Sequence, residues 1–239
     1  MSKIQMRLAL SIPVSYDYGA WIRHDGVEDA CNSMALWSVH GGSLWLRSQE
    51  PAGKTHLLRT VGRESGTIVP LDIAASAGRL TAWQLVEQWL IRLQGQTMWL
   101  LDVEAGTLEV AVAQALFHCV ERARELQRPL AMAWRGELSS LPPELSSRLL
   151  AMKQCTLAPP PDDDALLEIL HSSAGRLQWD IRQQVLQTML TYLPRRLDIL
   201  IPALKELELR SFEQHLRPGP VWLKQQLTGM AEELEQQNH

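Results

Sequence analysis

Cysteine is scarce in this chain. Cys31, Cys119 and Cys155 are odd in number and far apart, whereas a disulfide framework needs an even set and a zinc knuckle needs close pairs. Neither is expected, the three read as core filler, and a reducing cytosol suits them best. Metal-ligand spacing is equally absent from the histidines His24, His40, His56, His118 and His171, so a histidine metal centre is not expected. No apolar run approaches the roughly 20 residues of a membrane span, and the N-terminus shows no basic-then-apolar leader profile. The expected location is cytoplasmic, with no membrane partner. Clustered positive charge is missing as well: 23 Lys and Arg stand against 27 Asp and Glu, a formal net charge of -4. Phosphate neutralisation along a duplex takes concentrated Lys and Arg, so direct sequence-specific DNA binding is not expected and protein partners are.

What is present is an ordinary globular composition, with 46% hydrophobic and 21% charged residues over 239 positions. That suffices for one large core, or for a core with a small satellite. Short apolar runs bounded by turn residues predict buried strands over 43–46, 67–73, 98–103 and 129–134, with a weaker fifth over 154–157. Between them, apolar residues at three- and four-residue spacing predict helices over 55–64, 81–93 and 107–126. Strands alternating with helices predict an α/β fold around a parallel sheet. The run APPPDDD at 158–164 breaks the alternation, because its prolines continue no element and its aspartates suit a helix N-terminus. Beyond it the pattern is helical over 164–172, 179–192, 195–213 and 221–235. The expected domains are therefore an N-terminal arm and first helix over 1–39, an α/β core over 40–158 and a helical lid over 159–239.

The most informative stretch is LWLRSQEPAGKTHLL at 44–58, a strand running into a tight loop and then a helix. Its ending, Gly53-Lys54-Thr55, belongs to a phosphate cradle in which backbone N–H groups wrap a phosphate chain and the lysine reaches the outer phosphates. Ala52, Gly53, Lys54, Thr55 and His56 are thus candidates for holding a nucleotide, ADP or ATP. Ser48 stands where the first glycine of the pattern belongs, and Glu50 puts a carboxylate inside the loop. A carboxylate near phosphate oxygens costs about 1 kcal/mol or more unless it turns to solvent. Farther on, WLLDVE places Asp102 at the end of an apolar strand expected beside the first one, where an aspartate organises Mg²⁺ together with the loop threonine, Thr55. The second carboxylate that would polarise an attacking water is displaced: Val103 occupies its position and Glu104 comes one residue late, on the other side of a strand. Weak or absent hydrolysis is expected, and holding ADP is easier than turning over ATP. The nine tryptophans, Trp83 and Trp89 among them, read as core and edge packing.

The order of these parts resembles the AAA+ ATPases of the replication-initiator, DnaA-related group, and within it the Hda type, short relatives that lack the DNA-binding domain. The likeness rests on Trp45-Leu46 through AGKTHLL at 52–58, on WLLDV, on LPPELSSRL at 141–149 and on LPRRLDILIPALKEL at 193–207. It implies an AAA+ type P-loop NTPase sheet with a C-terminal helical lid. It further implies that Arg148 is an arginine finger acting on a neighbouring subunit's nucleotide, where otherwise it would read as a surface arginine near a helix end. Arg195, with Arg196 beside it, matches the lid arginine that reaches back to bound phosphates. The position of the short polar sensor is taken by Trp134 and Arg135, a further departure from a hydrolysing site. Finally, QMRLAL at 5–10 resembles the peptide with which the Hda type docks on the sliding clamp. Gln5 would orient that peptide by hydrogen bonds and Met6, Leu8 and Leu10 would supply apolar area, although their alternation also fits an edge strand. The implied partners are a DnaA-like initiator and the sliding clamp, with a homodimer allowed.

Overall fold

The computed structural model describes residues 21–62, 66–71, 80–103 and 106–237. The expected clamp peptide, Gln5 to Leu10, and Glu104 lie outside the described residues. Five parallel strands, β1 (Ser43–Arg47), β2 (Gly66–Leu71), β3 (Met98–Val103), β4 (Leu130–Ala133) and β5 (Lys153–Thr156), form one sheet in the order β2-β3-β4-β1-β5. The apolar content of each strand agrees with its place in this order. The central strands read as continuous apolar runs, as strands covered on both faces must: all four residues of β4 and the middle three of β1 are buried. β5 buries only Cys155 and lies on an edge. The other edge is β2, which contains Pro70, a residue tolerated where its missing N–H need not serve a second neighbour.

One expectation is overturned. The strand carrying Asp102 does not adjoin β1, because β4 is inserted between them. Strand alternation along a sequence fixes neither pairing nor order, and the four fully buried residues of β4 claim the sheet's centre.

The helices over the sheet are α1 (Glu28–His40), α2 (Lys54–Gly62), α3 (Ala82–Leu93), α4 (Val110–Glu125) and α5 (Pro143–Leu150). The N-terminus of α3 is fixed by a capping box between Thr81 and Gln84. One apolar cluster joins α3, α4 and α5 to Trp45, Leu101 and Met132 of the sheet, and a second joins α1 and α2 to Leu44, Leu46, Leu100 and Ala131. The alternation of β1 side chains between these clusters places α1 and α2 on one face and α3 to α5 on the other. Cys31, Cys119 and Cys155 are free and buried.

After β5 come α6 (Asp163–Arg176), α7 (Gln183–Tyr192), α8 (Leu197–Glu213) and α9 (Pro220–Gln237). Asp162 caps α6 by accepting from the Ala165 N–H at 2.8 Å, as the aspartate run predicts. These helices enclose an apolar cluster of their own, from Leu166 to Met230, and form the helical lid. None of the described helices is long and apolar enough to cross a membrane.

Candidate nucleotide site

The loop leaves β1 at Arg47 and enters α2 at Lys54, at the carboxyl end of a central strand of the sheet, where parallel sheets place their ligands. Gly53 sits at φ +81°, a left-handed conformation that L side chains rarely adopt. A Cβ there would also lie 3.1 Å from the ring of Trp21. Ala52 is buried and anchors the loop to the cluster under α1 and α2. The Lys54 ammonium donates to the Ser48 hydroxyl, and Ser48 is itself buried. The serine in the first glycine's place therefore acts as an acceptor for the loop's own lysine.

Thr55 donates its hydroxyl to Asp102 Oδ1 at 2.9 Å, and Asp102 is only 1% exposed. Arg59, one turn beyond Thr55 on α2, approaches Asp102 Oδ2 at 3.8 Å. Although β3 is not next to β1, its carboxyl end still delivers Asp102 to the start of α2. The paired oxygens of Thr55 and Asp102 are the hard donors Mg²⁺ favours. Among the described residues, no group of three or more His, Cys, Asp or Glu is placed to hold a metal ion by itself, so a cation here would lean on a nucleotide's phosphates for further ligands.

Burial, followed by the charge of Arg135, pulls the Lys54 ammonium down to about 8, with Asp102 opposing. His56 is pushed down to about 4 by burial, then by Arg176 and Arg59, so its imidazole is neutral at pH 7. It packs against Trp21 with ring centroids 5.1 Å apart. The charges of Arg59, Arg135 and Arg176 thus bear on Lys54 and His56 at the start of α2, where the buried acid is Asp102. That surplus of positive charge suits an anion such as a diphosphate.

Trp134 and Arg135, at the sensor position, part company. Trp134 is fully buried and stacks on Trp45 at 5.9 Å and 22°. Gly136 makes room for it, since a Cβ there would come within 2.1 Å of the Trp134 ring. Arg135 stays exposed. Val103 is buried in the apolar cluster beside the sheet.

In the lid, Arg195 precedes α8 and makes a two-pronged pair with Asp163, at 2.6 and 3.0 Å. Arg196 pairs with Asp198 at 2.6 Å; after Asp198, the loop's Glu50 is among the charges that raise its pKa. Arg148, on α5, donates its Nε–H to Glu121 Oε1 at 2.5 Å while its side chain remains 42% exposed. Glu121 also takes Arg124 at 2.9 Å.

Sequence reasoning missed Trp21, Arg59 and Arg176. Arg59 was open to discovery, since it lies four residues after Thr55 and so on the same helix face. Trp21 and Arg176 carry no local signal, because they reach the loop only through the tertiary fold.

No protein-family model and no curated protein sequence matches the chain. Solved structures do. Domain III of the replication initiation protein DnaA from Thermotoga maritima superposes with a TM-score of 0.70 at 15% identity, over 90% of this chain and 97% of that one. The chain has an AAA+ fold. The RuvB Holliday junction branch migration motor of the same organism matches at 0.63 and 14% identity, over 90% of this chain and 72% of that one. DnaA from Aquifex aeolicus, in a structure bound to AMPPCP, matches at 0.58 and 15% identity, over 83% of this chain and 66% of that one. At these identities the likeness is one of fold, a five-stranded parallel AAA+ sheet flanked by helices.

Proposed function

We propose that this protein is an Hda-like regulator of DNA replication initiation. Docked on a sliding clamp through Gln5, Met6, Leu8 and Leu10, and holding ADP at Lys54, it presents Arg148 to ATP on a DnaA-like initiator and stimulates hydrolysis there. The observation that carries this reading is the divided state of the site. The gripping groups Lys54, Thr55 and Asp102 are gathered at one loop, while Val103 and Trp134, at the positions that would handle an attacking water, are buried in the core. Such a site retains a nucleotide and turns it over poorly.

In this reading the amides of Ala52 to His56 and the Lys54 ammonium bind the diphosphate, and Arg195 or its neighbour Arg196 closes on it from the lid. Mg²⁺, if carried with the nucleotide, would be held by Thr55 and Asp102 and would neutralise phosphate charge. Arg148 acts in trans, its fork placed on developing charge at a partner's phosphates. The AAA+ fold, the likeness to DnaA domain III and the partial exposure of Arg148 support the assignment. The division into a 1–39 arm, a 40–158 core and a 159–239 lid belongs to the same proposal.

The test is initiator ATP hydrolysis in the presence of clamp, with wild type and Arg148→Ala. A loss of about 10³-fold in stimulation, the scale of a removed arginine finger, is expected, with clamp binding retained. Wild-type stimulation by the variant removes Arg148 from the role. Clamp pull-down with Gln5→Ala and Leu8→Ala reads the docking step separately.

A second reading is an adaptor that brings partners together without using nucleotide. It is favoured by the internal pairing of Lys54 with Ser48, Arg195 with Asp163 and Arg196 with Asp198, and by the Trp21 ring lying against Gly53. Calorimetric titration with ADP separates the two, since the adaptor gives no binding heat.

A further inference from the structure

At the opposite end of the sheet from the phosphate loop lies a hollow of about 540 Å³ between α3 and α4. The direction of the strands fixes its place. The loop follows the carboxyl end of β1, whereas Gln96 and Arg128, which line the hollow, come just before the amino ends of β3 and β4. An occupant here would not compete with a nucleotide. Apolar side chains of Val86, Leu90, Leu93 and Trp99 form much of its lining.

Three observations point to what it takes. The first is an orphaned donor: Trp99 is only 4% exposed, and its indole N–H is buried without an acceptor among the described residues. Buried donors are almost always paired, and this one, closed off within the wall of the hollow, gains an acceptor only when an occupant shifts the side chains that cover it. The second is charge. Arg122 and Arg128 line the hollow against the single acid Glu87; Arg122 is shared with Glu125 at 3.0 Å, while no ion pair of Arg128 is found among the described residues. The third is extent. Trp83, Ile91 and Leu126 carry apolar surface outward from the hollow, at 67%, 64% and 45% exposure. Trp83 is held in place by stacking on His118 at 4.6 Å. Apolar surface reaching beyond the hollow suits a peptide laid along α3 better than a small molecule contained in it.

We propose that this groove docks a short segment of a partner protein in which one or two apolar side chains stand beside a carboxylate. The apolar residues fill the hollow over Leu90 and Trp99. The carboxylate pairs with Arg128 and Arg122, and a carbonyl or carboxylate oxygen of the segment accepts the Trp99 N–H. The proposal is independent of nucleotide binding and of Arg148.

The test is selection of a displayed library of random twelve-residue peptides on the full chain, followed by binding of the selected peptides to Ile91→Asp and Arg128→Glu. Both side chains are solvent-facing, so neither change disturbs the core, and circular dichroism checks that. Selected peptides should share an Asp or Glu next to aliphatic or aromatic residues. Each variant should weaken them at least tenfold, and bound peptide should shift the indole N–H resonance that is missing from Trp99→Phe. Peptides that are basic, or that bind both variants as well as wild type, overturn the proposal. So does a lack of enrichment, binding of indole-3-acetate without any peptide, or self-association that Ile91→Asp abolishes.

Discussion

Lys54 shows what one residue's surroundings do to its chemistry. The loop lysine of a phosphate site serves as a fixed positive charge, yet here burial and Arg135 bring it to about 8. Between that value and its ordinary 10.5 the unfolded chain binds a proton that the folded, nucleotide-free chain does not. The sign follows: stability gains from Lys54 as pH rises through this window, and below about 8 the folded state carries the charged form at a cost. A diphosphate reverses the preference, because it needs the ammonium. ADP binding should therefore take up a proton above pH 8 and weaken about tenfold between pH 7 and pH 9. Titration calorimetry in two buffers of different ionisation heat reads the proton directly. Lys54→Met should bind weakly and show no such pH dependence; an unchanged slope in that variant would assign the proton elsewhere. The phosphate role proposed for Lys54 rests on Gly53 and Thr55 beside it in the sequence. Its lowered pKa was not legible there, since Arg135 is 81 positions away and the burial comes from the fold.

Among the elements, the pairing of β1 with the segment after β4 matters most to the site. Trp45 on β1 and Trp134 just past β4 are both fully buried and stacked, and the Arg47 guanidinium lies 4.5 Å over the Trp45 ring, a favourable cation–π placement. The sequence showed that Trp134 is no polar sensor. It could not show that the ring turns into the core, because that depends on β4 lying next to β1 with Trp45 opposite, and sequential alternation suggested that the Asp102 strand lay there instead. Gly136 was equally silent until the close approach of Trp134 gave it a reason. Trp134→Ala should cost about 3 to 5 kcal/mol, the usual range for emptying a large core site, read as a lower urea midpoint. It should not restore hydrolysis, since an alanine supplies no water-holding group. A gain of ATP turnover in this variant would show that the indole was blocking an otherwise complete site.

At the scale of the whole molecule, the α/β layout was legible because it is written in periodicity: apolar runs for β1, β3 and β4, helical spacing between them, and the APPPDDD break that holds the Asp162 cap; the AAA+ expectation rested on resemblance at a few motifs. What stayed hidden was convergence across the break. Arg176 on the first lid helix is one of the charges that, after burial, keep His56 of α2 neutral at pH 7, so the helices after the break bear on the loop's own helix. A nucleotide that spans the cleft would bind only the folded arrangement, and binding to the native state alone stabilises by RT ln(1 + [L]/Kd). With ADP at about 100 times its Kd the gain is about 2.7 kcal/mol. For a chain of this size that corresponds to a rise in Tm of about 5 to 10 °C, from a scale of about 2 to 4 °C per kcal/mol. Thermal melts with and without ADP, repeated in Thr55→Ala and Asp102→Asn, should show the rise in wild type and a smaller one in each variant. The adaptor reading requires superimposable melts for wild type at every ADP concentration, because a loop whose lysine already has its serine, and whose glycine lies under Trp21, would offer the diphosphate nothing it lacks in water.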